Sequence, residues 1–553
     1  MSPRSPVTRV VALAALLAVA AACTVDTDSG MDQAPLLTAA QPAYGDTYID
    51  SLLGDISSLI PTITSDGSSH AVGNLIYSGL VRYDKNLSPE GDLAESWTFS
   101  PDCRRLTFRL RPGVTWHDGQ PFTADDVVFT WKAIVDSKTP SPYKADYLDV
   151  ERVEAEGPGV VHVDYRQPYA KALTSWSTWI LPRHLLEPFV REGRIREAPQ
   201  NWNAPVGTGP YRFVSRKAGE RVVLVANPGY WEGRPHLSRV VYRVIPSQAT
   251  TFLELKAKGV DSAALTALQY KRQTDYPAFK RAYAKFHYPS NAYTYFGFNL
   301  KDPRFADRRV RQAFAHAINK RELIDGVILG MGREATGPYK PGTWAYTDRV
   351  KTYPYDMARA RQLLAEAGWS ERDAEGVLVK DGKPFTFEIL TNQGNDERKK
   401  IAEILQSQLR ELGVGAEIRI LEWAALLKEH IRKRRFEAIV LGWGTGVDPD
   451  QFVIWHSSQQ SPEQMNHIGY SNPAADAALE QGRSACVQAE RVKHYHRLQE
   501  ILAEDQPIVF LYFREALPVV SSRIHGIQPG PNGINFNFTK WFVPRQLQRY
   551  TAG

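Results

Sequence analysis

The segment Trp443-Gly-Thr-Gly-Val-Asp-Pro-Asp450 brings an indole, two glycines, a threonine hydroxyl and two carboxylates together within eight residues, immediately after an apolar run from Phe436. Such a set suits non-covalent recognition: a ring to stack on, bare backbone that a ligand chain can approach closely, and acceptors for its polar groups. Catalytic signatures are another matter. No GxSxG, HExxH, P-loop or Cys/His signature occurs in the chain. Triads need not be local in sequence, so a secreted hydrolase stays as an alternative that turnover of a generic peptide would revive.

Each candidate has a plainer reading beside the functional one. Trp443 stacks on a ligand or plugs the inter-strand core, and the immediate turn of the chain favours the ligand. Gly444, Thr445 and Gly446 either admit a ligand backbone or simply make a turn. Asp448 and Asp450 either meet a positive group or, with Pro449, form an ordinary turn. Tyr293 and Tyr295 alternate along a run expected to cross the molecule, so one face of it lines a cleft or packs as a normal strand. Asn392, Gln393 and Asn395 follow a strand and can hydrogen-bond a main chain, and Asn395 doubles as a helix cap, which makes Gln393 the better candidate. Trp423 opens the next helix and completes the set.

These residues are carried by a recurring pattern. Phe385, Phe387 and Ile389 alternate with other residues, as do Val414, Ala416, Ile418 and Ile420, which is the period of a strand with one face buried. Between them Asn395 caps a helix whose Ile401, Leu405, Leu409 and Leu412 recur at helical spacing before Gly413. Trp423, Leu426, Leu427 and Ile431 mark a second helix, and Phe436 to Trp443 a third strand. Strand, helix, strand, helix, strand predicts right-handed crossovers and a parallel sheet, with ligands bound at the carboxyl ends of its strands. Further along, the segment 307–327 (DRRVRQAFAHAINKRELIDGV) reads as one helix with Val310, Phe314, Ala317 and Ile318 on one face.

With 553 residues, the chain exceeds what one core serves, so two or three domains are expected. Its formal charge of +6 falls to +4 once Arg4 and Arg9 leave with the leader, too little for a nucleic-acid partner. Residues 1–22 read as a signal peptide: two arginines, then an Ala/Leu/Val run too short to span a bilayer comfortably. Ala20-Ala21-Ala22-Cys23 resembles a lipobox, with Ala20 where Leu or Val is usual, so Cys23 is expected to carry lipid and residues 23–41 to form a tether. Ordinary cleavage beside an inert Cys23 is the alternative. Cys103 and Cys486 are far apart in sequence and read as two isolated thiols. The Arg432–Arg435 run reads as a solvated helix end, and His494 and His496 point to different helix faces, which argues against joint metal ligation.

Eight stretches match a known family. They are GNLIYSGLVRYDKNL, LAESWTFS, LRPGVTWHDGQPFTADDVVFTW, PVGTGPYRF, NPGYWEGRPHLSRVVYRVI, YFGFNL, DRRVRQAFAHAINKRELIDGV and the Trp443–Asp450 loop. In order, and across nearly all of the mature chain, they resemble the extracytoplasmic solute-binding proteins, family 5, that serve ABC importers of peptides and nickel. The resemblance implies an α/β, two-lobed periplasmic-binding-protein type II fold with an additional inserted subdomain in the first lobe. Residues 42–75, 201–290 and 506–553 would form the first lobe, 76–200 the inserted subdomain and 291–505 the second lobe. LTNQGN, DERKKIAE, LEW and the Trp443 loop look most like the oligopeptide-binding type.

Dipeptide carriers of this family place an Asp three residues after the loop tryptophan and an Arg after the first strand, whereas Gly446 and Thr391 stand here. A buried terminal charge needs a partner, so the resemblance implies ligands whose termini stay solvated. It further implies a monomer without cofactor or catalytic residues, capturing oligopeptides by hinge closure and delivering them to permease subunits at the outer face of the cell membrane. A nickel chelate or another small solute is the alternative ligand.

Overall fold

The computed structural model describes residues 41–550 apart from Cys486 and Asn532, so the signal-peptide and Cys23 assignments lie outside the described residues. Three bodies of sheet and helix organise the rest.

The first body holds a four-stranded sheet in which Gly45–Leu52 runs parallel to Leu237–Val244, followed by Arg221–Ala226 and Tyr211–Lys217 antiparallel. Beside it, Pro518–Ser521 from the far end of the chain is the middle strand between Ser262–Ala264 and Tyr283–Lys285. A buried arginine ties the ends together: Arg523 Nη2 lies 2.6 Å from Asp261 Oδ2, and its Nη1 pairs with Asp46. Inserted after the first strand is an antiparallel sheet of Ala94–Phe99, Arg105–Leu110, Val160–Tyr165 and Val150–Glu156. The helix Ala124–Val135 packs on it, started by a Thr123/Asp126 capping box. Its core is built from Phe108, Trp116 and Trp176, all fully buried.

The second lobe is a six-stranded mixed sheet. Thr386–Asn392 lies between Gly415–Leu421 and Ala438–Gly444, parallel to both, as the alternating sequence predicts. The sheet is not wholly parallel: Tyr288–Phe298 joins Ala438–Gly444 antiparallel, Ile508–Ala516 joins Tyr288–Phe298 antiparallel, and Gly332–Glu334 closes the edge. Asp396–Leu412 is the expected helix, with Asn395 Oδ1 accepting from Arg398 N at 2.9 Å and Gly413 ending it at φ 95°. Phe387 and Ile389 enter the core. Ile420 does not: its strand is the sheet edge, and it is 40% exposed.

Two helix expectations change. The segment after Arg308 is two helices, Arg308–Ala317 and Lys320–Val327, because Asn319 caps the second with its side chain on Glu322 N. The helix beginning at Trp423 is one turn, Trp423–Ala425, continued by a π-turn over Leu426–Ile431.

Two segments pass between the lobes side by side, the start of Tyr288–Phe298 and the end of Ile508–Ala516. His287 Nδ1 and Glu515 Oε2 are 3.1 Å apart where they meet. One hydrophobic cluster runs through this hinge, from Phe252, Leu255 and Phe279 to Phe298, Phe314 and Val519. The lobes are therefore joined by packing as well as by chain.

Candidate ligand-binding cleft

A cavity of about 920 Å³ opens between the lobes at the carboxyl ends of the parallel strands. Its walls divide into three zones, each set by a different element.

The first zone is the loop after Ala438–Gly444. Thr445 N and Oγ1 both donate to Asn291 O, at 2.7 and 2.9 Å, which pins the loop to the neighbouring strand. Trp443 stacks on His467 with centroids 5.4 Å apart. Asp448 accepts from Arg491 at 2.7 Å and from Asp450 N at 2.9 Å. Asp450 accepts from Phe452 N at 3.0 Å and Arg483 Nη2 at 2.8 Å. Burial would raise the Asp450 pKa, but Arg483 and Lys171 outweigh it and hold the carboxyl below its usual range. Both carboxylates are thus committed to arginines of this chain. Gly446 is exposed, and a Cβ there would touch only Asp448 O at 3.7 Å.

This zone also joins the lobes. Arg483, on the helix Pro473–Ser484, reaches the inserted subdomain, donating to Ala145 O at 2.9 Å and Tyr169 Oη at 3.2 Å. Lys171 Nζ in turn sits 2.7 Å from Asp146 and 3.7 Å from Asp450. Burial disfavours the Lys171 cation, yet the two carboxylates raise its pKa well above the usual value.

The second zone is the floor of the second lobe. Tyr295 Oη and His467 Nε2 share a hydrogen bond of 3.1 Å, and burial pushes the His467 pKa down to about 4, so its ring is neutral. Asn392 Oδ1 accepts from Arg398 Nη1 at 2.8 Å, and Arg514 pairs with Glu397 at 3.2 Å. Here Gly442 matters sterically: a Cβ would lie 3.2 Å from Arg398 Nη2 and 3.0 Å from Tyr293 O. Its lack of a side chain lets the guanidinium lie over the strand.

The third zone is the first-lobe wall. His70 packs on Trp179 at 4.8 Å, and Tyr143 Oη donates to Thr64 O at 2.9 Å. Asp66 is saturated, accepting from Ser69 N, Ser69 Oγ and Thr64 Oγ1 at 2.9, 2.8 and 2.6 Å. Across from it, Trp423 rests on Gly54, where a Cβ would meet the indole at 2.6 Å. At the rim, Arg196 and Glu463 form a 2.9 Å pair between the lobes.

Of the residues singled out from sequence, Trp443, Gly444, Thr445, Gly446, Asp448, Asn392, Tyr295 and Trp423 line this one cavity. Gln393 is exposed outside it, its main-chain N–H donating to Leu421 O at 2.7 Å. Tyr293 is buried against Phe510 and Phe513, behind the wall rather than in it. Thr391 also points away, its Oγ1 donating to Val440 O at 2.9 Å. Arg398, Arg514, His467 and the first-lobe wall were not anticipated. An arginine in the first turn of a helix, where the dipole disfavours a cation, was the available signal for Arg398.

The family model for bacterial extracellular solute-binding proteins, family 5, matches residues 88–464. The chain belongs to that family. Among curated members, the oligopeptide-binding protein AppA of Bacillus subtilis is 32% identical, over 92% of this chain and 93% of its own. The structure of AppA with a nonapeptide superposes at a TM-score of 0.87, with 31% identity, covering 91% of this chain and 100% of AppA. NikZ of Campylobacter jejuni with Ni(L-His) gives a TM-score of 0.81 at 30% identity, covering 90% and 99%. This family 5 chain accordingly has the two-lobed periplasmic-binding-protein fold, with its cavity in the inter-lobe cleft. Among the described residues, no helix is long and apolar enough to cross a membrane, and no group of three His, Cys, Asp or Glu side chains could hold a metal ion.

Proposed function

We propose that the protein is the substrate-binding lipoprotein of an ABC importer, capturing oligopeptides between its lobes and delivering them to the permease from the outer face of the cell membrane. Residues 42–75, 201–290 and 506–553 then act as the first lobe, 76–200 as its inserted subdomain and 291–505 as the second lobe, with Cys23 as the anchor. The observation that carries the reading is the 920 Å³ cavity, with no carboxylate at Gly446 in its wall and with Thr391 turned away from it. A volume of that size takes several residues of peptide. Both aspartates of the loop are occupied by arginines, so the main chain and side chains of a ligand, rather than its amino terminus, are held there. Similarity to a nonapeptide-binding relative supports the same ligand class.

The mechanism is binding without turnover. Ligand contacts from both walls favour the closed arrangement, in which Trp423 meets Gly54 and Lys171 meets Asp450, and the permease reads that form. The test is a random oligopeptide pool in a thermal-shift assay, with mass spectrometry of co-purifying material. A ligand at a hundredfold excess over its Kd stabilises the protein by about 2.7 kcal/mol. If no oligopeptide shifts the midpoint, or if peptide is consumed, the reading fails.

A further inference from the structure

The two ends of the described chain meet on the first lobe, at the opposite end of its first strand from the cleft. Gly45–Leu52 starts there, and the residues that follow it, Leu53 and Gly54, line the cavity roughly 25 Å away. Gln548 Nε2 donates to Tyr44 O at 3.2 Å, and the main-chain N–H groups of Arg549 and Tyr550 donate to Asp46 at 3.1 and 3.0 Å. Tyr44 stacks on His236 with centroids 5.0 Å apart, and the Arg234 guanidinium lies 5.5 Å from the centre of the same tyrosine ring. His236 N donates to Thr539 O at 3.4 Å, which brings Lys540 to this surface, and Gln548 N donates to Arg545 O at 3.3 Å. Tyr44 is 58% exposed and Tyr550 37%. Arg234, Lys540, Arg545 and Arg549 are exposed too, and among the described residues none has a carboxylate within ion-pair distance. The acids beside them are already answered, Asp46 by Arg523 and Glu232 by Arg82.

Exposed tyrosines among unpaired cations suit the boundary of a bilayer, where an amphipathic ring sits at headgroup level and each nearby Lys or Arg is worth about 1 kcal/mol against anionic lipid. The course of the chain indicates what covers this surface. Residue 41, the first described, is eighteen residues beyond Cys23, so a lipid on Cys23 holds this end of the molecule within roughly 65 Å of the membrane even at full stretch. The other exposed basic run has no such connection: Lys433 and Arg435 belong to the second lobe, and Lys433 is already paired with Glu429. We propose that this end of the first lobe is a lipid-facing surface, resting on anionic headgroups of the bilayer that holds Cys23, with Tyr44 and Tyr550 at headgroup level and the cleft turned outward. The inference rests on the lipoprotein reading and adds an orientation to it. The tether limits distance; the surface sets which way the cleft faces.

The experiment uses the chain from residue 23 carrying Cys23→Ser, so that no lipid is attached, and vesicles of phosphatidylcholine with or without phosphatidylglycerol, with co-sedimentation as the readout. The expected result is binding to the anionic vesicles only, lost at high salt. It should weaken about tenfold or more in the double variant Arg545→Glu/Arg549→Glu and to a smaller degree in Tyr44→Ser, with unaltered melting midpoints. The control Lys433→Glu/Arg435→Glu, which changes net charge equally, should bind as the parent does. Lys540→Gln is a second charge variant should the first pair fail to fold. No binding to anionic vesicles, or an equal loss in the two charge-reversed pairs, overturns the proposal. Polyphosphate is the second probe: if it binds as tightly as the vesicles and Tyr44→Ser leaves vesicle binding unchanged, the surface holds soluble polyanions and the lipid assignment falls. The lipoprotein reading is judged separately, by the mass of the wild-type protein extracted from membranes. Diacylglycerol on Cys23 without vesicle binding by the unacylated chain keeps that reading and overturns the lipid-facing surface. Vesicle binding by a chain that acquires no lipid keeps the surface and overturns the anchor.

Discussion

Lys171 Nζ, from the inserted subdomain, lies 3.7 Å from Asp450 Oδ2 of the second lobe, with Asp146 at 2.7 Å on its own side. All three are largely withdrawn from water, whereas the rim pair Arg196–Glu463 is about two-fifths exposed on each side. These two of the links between the lobes should therefore differ in weight.

Replacing Lys171 by Met leaves Arg483 as the one cation shared by two buried carboxylates, at 2.8 Å from Asp450 and 3.5 Å from Asp146, a change on the order of 3 kcal/mol. Arg196→Ala breaks a solvated pair and costs about 1 kcal/mol or less. Calorimetry with a bound peptide should show a large affinity loss for Lys171→Met and a change of under about fivefold for Arg196→Ala. Equal effects would refute this ranking.

Gly54→Val tests closure by placing a side chain where the two walls meet. A Cβ at 54 would lie 2.6 Å from the Trp423 indole, so the side chain fits only when the lobes are apart. The ligand-free protein should melt normally, while peptide affinity falls about tenfold or more. Small-angle scattering should find that saturating peptide no longer contracts the variant.

Gly446→Asp restores a carboxylate to the site's mouth, where only Asp448 O at 3.7 Å adjoins the new Cβ. A charged hydrogen bond to a free α-amino group is worth about 1.5 to 3 kcal/mol. The variant should discriminate between free and N-acetylated peptides by about tenfold, and the wild type should not.

His467 sets a pH dependence. Its folded pKa is about 4 and its unfolded value about 6.5, so between those values the unfolded chain binds more protons. Stability is retained above about pH 6.5 and lost as pH falls towards 4, by about 3 kcal/mol. Urea midpoints for the wild type and His467→Gln should converge at acid pH; a wild-type curve flat from pH 7 to 4.5 would contradict the assignment.

The alternation of Phe385, Phe387 and Ile389 made the central strand legible, and the same alternation places Thr391 on the core face, where it bonds to Val440 O. Asn395 and Gly413 gave the helix its ends because caps are local chemistry. What the sequence could not reveal was partnership at a distance. Arg491 and Arg483 commit Asp448 and Asp450 from more than thirty residues downstream. Nor does any pattern around residue 70 announce that His70, Tyr143 and Trp179 form one wall. Arg398 stood among four other charged residues in DERKK, and only folding brings it to the cavity wall. The break at Asn319 was hidden by an apolar stripe that continues across two helices.

The placement of Pro518–Ser521 in the middle of a first-lobe sheet bears on how the molecule is made. Neither Ser262–Ala264 nor Tyr283–Lys285 has its neighbour, and Asp46 and Asp261 lack Arg523, until synthesis is nearly finished. The nascent chain therefore cannot complete its first lobe early, however long it waits. Such a polypeptide acquires its final shape only once the last segment has arrived.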